Sequence, residues 1–239
     1  HIFGTVGGNT ACVEVIGAKG EKIIIDAGTG IRSLGKKYVK TDAPIHILFS
    51  HFHWDHIQGL PFFDPIFQKD REIHFYSFSN ESEEFLKKQM CAPFFPVTMD
   101  ACSKNLHFHK LSSGQEFSIG NIKITTRNME HPGGCFAYSF IEKNKKFIYS
   151  SDVEISLEDF EKNSQTEAFF NNPDIMVIDS QYTLDEAVEK KHWGHTSFCY
   201  AIDFASVWNT KKLFLFHHEP TYDDKKLYKI LASARHYSS

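Results

Sequence analysis

The stretch Ser50-His51-Phe52-His53-Trp54-Asp55-His56 follows directly on the apolar run Ile45-His46-Ile47-Leu48-Phe49. In an extended chain, residues i and i+2 project to the same side, so His51 and His53 can grip one ion together. Asp55 and His56 come just after, point elsewhere, and can grip a second. Three imidazoles and a carboxylate packed this tightly at a strand end build a two-metal site, a reading more specific than a His-rich loop.

Outward from this segment the first half reads as short strands with few helices. Thr10–Ile16, Lys22–Asp26, Ile45–Phe49 and Ile73–Phe78 have strand character. Helices are expected near Ile31–Tyr38, at the start of Asp55–Phe67, and around Glu81–Met90. The middle is β-rich at Asn105–Leu111, Ile122–Asn128, Phe136–Glu142 and Lys146–Tyr149. The last third alternates helices near Leu157–Phe170, Ser197–Trp208 and Asp224–Ala234 with strands Ile175–Asp179 and Lys212–Phe216. This pattern predicts an α/β (α+β) chain: two mixed sheets packed face to face with helices outside, residues 1–239 forming one domain.

A dinuclear site needs further ligands at strand ends. His131 opens a Gly-rich turn in Asn128-Met129-Glu130-His131-Pro132-Gly133-Gly134. Asp152 lies just beyond the apolar Phe147-Ile148-Tyr149, and His217 and His218 end Leu213-Phe214-Leu215-Phe216. Each is weak alone, because a lone His or Asp after a strand is more often a cap or a solvated turn. The other histidines divide. His107 and His109 alternate along a strand and are expected to face solvent, and His46, His74 and His236 carry no signal. His192 and His195 in Lys191-His192-Trp193-Gly194-His195-Thr196-Ser197 precede a helix, with Thr196 and Ser197 read as caps.

Composition narrows the classes. The net charge of −4 gives no general attraction to nucleic acid or anionic membrane, and no apolar run reaches the length of a membrane span. The cysteines at 12, 91, 102, 135 and 199 are scattered, with no Cys-x-x-Cys pair. That speaks against a disulfide framework or a thiolate zinc site, and a reduced, cytoplasmic setting is expected.

In order, Asp26 in Ile23-Ile24-Ile25-Asp26-Ala27-Gly28, the His-x-His-x-Asp-His segment, His131, Asp152 and His217 resemble the signature of the metallo-β-lactamase superfamily. The resemblance runs from Gly7 to about Asp224. It implies an αβ/βα sandwich in which His51, His53 and His131 hold one metal and Asp55, His56 and His217 the other. Asp152 bridges the two, and Asp26 orients the His loop. His217, the first residue after its strand, is favoured over His218. Asp55 and His195 are the candidate catalytic residues; members that cut phosphodiesters carry a similar Gly-His-Ser/Thr.

Two functions fit. A phosphodiesterase-like hydrolase would use a metal-bridging hydroxide, with His195 giving a proton to the leaving group and zinc or manganese as the metals. A di-iron protein would instead hold O2 between two ferrous ions. Flavodiiron reductases usually place Glu where His53 stands, and a flavin-binding domain is not expected here. Gly7-Gly8-Asn9-Thr10, His53-Trp54-Asp55-His56-Ile57-Gln58-Gly59 and Phe216-His217-His218-Glu219-Pro220 resemble one branch in particular. That branch contains phosphodiesterase-like hydrolases and the oxygen-binding di-iron proteins that accompany cytoplasmic chemoreceptors.

Charge tips this balance. No Lys or Arg occurs in 49–68, 128–142, 147–161, 192–209 or 213–224, the ligand-bearing segments. Phe52, Trp54, Phe62, Phe63, Phe136, Trp193, Phe214 and Phe216 crowd them instead, which predicts a dry pocket for a small uncharged ligand. The sequence therefore leans narrowly to a di-iron oxygen sensor of a chemotaxis-type system, with the hydrolase as its alternative. Its expected partners are O2 or a small-molecule substrate, a chemoreceptor or kinase, and a second copy, with neither nucleic acid nor membrane.

Overall fold

The structure, a computed structural model, describes residues 4–238. Residues 1–3 and 239 of the expected 1–239 domain lie outside the described residues. The chain forms two compact units, one of Asn9–Ser113 with Ile119–Asn121, the other of 4–8, Gly114–Ser118 and 122–238.

The first unit is built on a mixed five-stranded sheet in the order β1 (Val13–Ile16), β2 (Lys22–Ile25), β3 (Ile45–Leu48), β4 (Ile73–Ser77), β5 (Leu106–Lys110). β1 and β2 form an antiparallel hairpin, and the remaining pairs are parallel. Parallel neighbours need crossovers, and helices α1 (Ile31–Tyr38) and α3 (Ser82–Gln89) lie in them. Ile31, Leu34 and Tyr38 of α1 are buried with Ile45, Ile47, Ile73 and Phe75. Each such side chain contributes about 1.5–3 kcal/mol.

The stretch Asp55–Phe67 is α-helical only at its start, as expected, in the single turn α2 (Trp54–Ile57), and 3-10 turns follow at Leu60–Phe62 and Asp64–Phe67. Pro61 and Pro65 fall in those turns and remove the N–H groups a continuous helix would use. Gly59 is required where it stands, since a Cβ there would lie 2.0 Å from the Gly28 carbonyl oxygen. This close approach seats α2 directly on the turn after β2.

The second unit carries a mixed six-stranded sheet. Its order is β11 (Leu213–Phe216), β10 (Ile175–Asp179), β9 (Lys145–Ser150), β8 (Cys135–Glu142), β7 (Ile122–Met129), β6 (Glu116–Ile119). β9, β10 and β11 are parallel; β7, β8 and β9 are antiparallel. The helix expected over Leu157–Phe170 is broken into α4 (Leu157–Phe160) and α5 (Ser164–Phe170), because Asn163 caps a new start by accepting from Gln165 N and Thr166 N. Trp208 is fully buried with Phe170 and Phe204 beneath α7 (Phe198–Val207), and its Nε1 donates to the Asp159 carbonyl. A strand at β6 and a helix α6 (Leu184–Glu189) were not expected; α8 (Asp224–Tyr237) runs three residues past its expected end.

Candidate metal centre

In the first unit, β2 and β3 run parallel, so the residues that follow them meet at one end of the sheet. Asp26 is fully buried there. Its carboxylate accepts from Ser50 N at 2.7 Å, from Ser50 Oγ at 2.8 and 2.9 Å, and from His56 Nδ1 at 2.8 Å. Ser50 Oγ, having given its one proton to Asp26, accepts from His51 Nδ1 at 3.0 Å. Asp26 thereby sets the tautomer of both imidazoles. His51 and His53 bring ring centroids to 4.4 Å, as the i, i+2 spacing requires. His56 Nε2 faces Asp55 Oδ2 at 3.3 Å.

In the second unit, residues just beyond β7, β9 and β11 converge similarly. His131 Nε2 lies 3.9 Å from Asp152 Oδ2, and His217 Nε2 lies 3.3 Å from Asp152 Oδ1. The far nitrogen of each is held: His131 Nδ1 donates to the Gly194 carbonyl at 2.9 Å, and His217 Nδ1 to Gln181 Oε1 at 3.2 Å. Gly194, at φ +84°, passes so close that a Cβ would fall 2.3 Å from His131 Nδ1. Asp26, Asp152 and His217 all adopt left-handed backbone, with φ of 61°, 55° and 57°. Each costs about 1–3 kcal/mol, a cost that concentrates at functional positions.

These contacts decide what the donor sets fit. His56 and His217 each spend the Nδ1 proton on an oxygen acceptor and turn an unprotonated Nε2 at a carboxylate 3.3 Å away. Lone pairs facing lone pairs call for a cation between them, and imidazole with carboxylate suits zinc and its neighbours. An outer acceptor on the opposite nitrogen is how ligating histidines are held.

One candidate site residue was missed in the sequence. Asp179, the last residue of β10, is fully buried and accepts from Thr196 N at 2.8 Å and His195 Nδ1 at 2.8 Å. Asp179, His195 and His217 bring donor atoms within 4.8 Å of one another. Its signal was the one that singled out Asp26: a carboxylate ending an apolar strand. Thr196 and Ser197 behave structurally. Thr196 Oγ1 donates to the Val153 carbonyl, and Ser197 caps α7 by accepting from Tyr200 N. His218 lines a cavity with Ile202, Leu215 and Leu227, and burial lowers its pKa.

The expected dry aromatic wall does not form as such. Phe63 and Phe136 are buried, but Trp54, Phe62 and Trp193 are 64%, 51% and 62% exposed, because short turns rather than core strands carry them. Cations missing from the ligand segments arrive from outside them. Arg32 lies over Phe62 at 6.0 Å, and Lys190 lies 5.8 Å from the Trp193 ring centre. His109 also departs from expectation, being partly buried and stacked on Tyr76 with centroids 4.5 Å apart, while His107 is exposed.

Comparison with known proteins agrees with this architecture. Residues 21–218 match the family model described as "Beta-lactamase superfamily domain". Ribonuclease Z of Clostridium kluyveri is 22% identical over 268 aligned positions, spanning 90% of this chain and 84% of that protein. Ribonuclease Z of Clostridium perfringens is 24% identical, spanning 89% and 84%. The metallo-β-lactamase fold protein YhfI from Bacillus subtilis superposes with a TM-score of 0.71 at 16% identity, over 99% of this chain and 88% of its own. The two mixed sheets with their helices are thus the metallo-β-lactamase fold, and the chain belongs to the metallo-β-lactamase superfamily.

Proposed function

We propose that this protein is a metal-dependent phosphodiester hydrolase. In this reading the whole chain acts as one catalytic domain, and His51, His53 and His131 hold one metal. Asp55, His56 and His217 hold the other, with Asp152 shared. The assignment follows the order of the family signature and the paired Nε2–carboxylate approaches within each unit. Zinc fits the donor set, and manganese is the second choice. When bound, two such ions supply an activated water and offset charge building on the phosphoryl oxygens.

The observation that carries the reading is the Asp179–His195 pair beside His217. Asp179 holds the Nδ1 proton of His195 at 2.8 Å, and the His195 ring lies parallel to His217, 8° apart with centroids at 5.1 Å. An imidazole anchored this way offers Nε2 to protonate a leaving oxygen next to a metal-ligating residue. Reversible oxygen binding has no need of that proton donor. Asp55, with its side chain 38% exposed, is the ligand best placed to accept a proton from the attacking water.

The surroundings suit an anionic, aromatic-bearing substrate. Exposed Trp54, Phe62 and Trp193 offer π-faces, with Arg32 and Lys190 beside two of them. The curated relatives are named ribonucleases, which favours a nucleotide phosphodiester over the small uncharged ligand expected from sequence. They weigh toward the hydrolase and leave the di-iron sensor, its chemoreceptor partner and a second copy without support. The test is hydrolysis of a nitrophenyl phosphodiester and of short single-stranded RNA by zinc- or manganese-loaded protein. Turnover abolished by Asp152→Ala supports the reading. No turnover, together with a persistent visible band when ferrous protein meets air, would return the chain to oxygen chemistry.

A further inference from the structure

A second group of imidazoles lies at the other end of the first unit's sheet. His46, His74 and His107 are each the second residue of a parallel strand, β3, β4 and β5, and the register pairs His46 with His74 and His74 with His107. Their rings stack across the strands, with centroids 4.9 and 4.7 Å apart and planes within 17° and 21°. The alternate residues Ile47 and Phe75 belong to the hydrophobic core and Phe108 packs against it, so the opposite face of these strands carries the packing. At about 3.3 Å rise per residue, five residues separate His46 from His51 by up to roughly 16 Å.

We propose that Glu72, His74 and His107 form a separate binding site for a borderline-soft divalent cation such as zinc or nickel. One ligand atom from each lies within 4.8 Å of the others. His74 is held at both nitrogens, with Nδ1 2.9 Å from His109 Nε2 and Nε2 2.9 Å from Glu72 Oε1, and the tautomer decides which of them carries the proton. In the tautomer that an ion at this point selects, His109 accepts the Nδ1 proton, and Nε2 and the carboxylate both present lone pairs to the ion. Tetrahedral bonds of about 2.0–2.1 Å separate neighbouring ligand atoms by roughly 3.3 Å, a small widening of the present contact. On His107, Asn105 Oδ1 accepts from Nε2 at 2.7 Å, which leaves Nδ1 as the ligating nitrogen.

His46 backs the site, with its Nδ1 3.1 Å from the Tyr76 hydroxyl and its ring against His74. Glu72 has 41% of its side chain exposed and His107 is exposed, so an ion enters from solvent and water completes its shell. β5 is the terminal strand of its sheet, and an ion shared by Glu72, His74 and His107 fastens it to β4. Three nitrogen and carboxylate donors with an open water position select zinc or nickel over magnesium or calcium, which prefer oxygen shells.

The test is equilibrium dialysis of the protein against zinc, counting bound metal in the wild type and in Glu72→Gln/His107→Asn. Both substitutions fall on accessible side chains, so the variant's far-ultraviolet circular dichroism and melting temperature should match the apo wild type. The expected result is one zinc equivalent fewer in the variant, with the same loss for nickel. Zinc should also raise the wild-type melting temperature more than the variant's. Equal metal counts in the two proteins would overturn the proposal, as would a deficit that magnesium or calcium fills equally well.

Discussion

His195 donates its Nδ1 proton to Asp179, 2.8 Å away, and Asp179 is buried completely while His195 keeps 12% of its side chain exposed. A buried carboxylate with backbone donors on one oxygen and an imidazole on the other fixes both the tautomer and the orientation of that imidazole. Asp179→Asn keeps the shape and loses the acceptor. It is expected to lower kcat about 100-fold or more on an alkyl phosphodiester, with little change in KM. On a nitrophenyl ester, whose leaving group needs no proton, the loss should be only a few-fold. Equal losses on both substrates would remove His195 from the role of acid.

Gly194→Ala tests the support of His131. The added Cβ meets His131 Nδ1 and Pro132 Cδ, each at 2.3 Å, at a backbone position with φ +84° that already disfavours alanine. The imidazole must shift off its carbonyl acceptor. Metal affinity is expected to fall about 10–100-fold, measured by competition with a chromophoric chelator.

Asp26→Ala removes the acceptor of Ser50 N, Ser50 Oγ and His56 Nδ1 at once. Each buried donor left without its partner costs about 1–3 kcal/mol. Urea unfolding of the metal-free protein should show a loss of at least about 3 kcal/mol. Asp26→Asn, which tolerates the left-handed backbone and keeps one acceptor, should lose less.

Glu186 gives the stability a pH signature. Partial burial pushes its carboxyl up, but Lys226, Tyr222 and the Thr183 cap outweigh that and hold it down to about 2. The carboxylate accepts from Lys226 Nζ at 2.8 Å and from the Tyr222 hydroxyl, tying α6 to α8 and the turn before it. A depressed carboxyl contributes stability that is fully present above its ordinary value of 4.5 and lost as pH falls toward 2. With 29% of the side chain exposed, Glu186→Gln should cost about 1–2 kcal/mol at pH 7. Denaturant titrations at pH 7 and pH 3 should show the gap narrowing; a constant gap would contradict this assignment.

What the sequence disclosed depended on how far apart the interacting residues sit. The His51 segment carries its meaning within seven residues, and Asp26, His131, Asp152 and His217 each lie just past an apolar strand of their own unit, so they stood out as candidates. The α1 limits were also read correctly, because one amphipathic stretch carries them. Asp179 was passed over since its partner, His195, lies sixteen residues on, across an intervening helix. His46 and His74 gave no signal and His107 read only as a solvent-facing residue, because parallel strands bring together residues roughly thirty positions apart, and only the register reveals the stack. The aromatic residues misled in another way. Sequence shows that rings are near the ligands but not which way they face, and the exposure of Trp54, Phe62 and Trp193 removes the argument for a dry pocket.

The most direct test of the central claim is a zinc titration of metal-free Glu72→Gln/His107→Asn protein, following nitrophenyl phosphodiester hydrolysis at each step. Two metals shared by Asp152 predict activity that rises to a plateau at two equivalents and is absent throughout in Asp152→Ala. Full activity at one equivalent, or none at any loading, would contradict the dinuclear hydrolase.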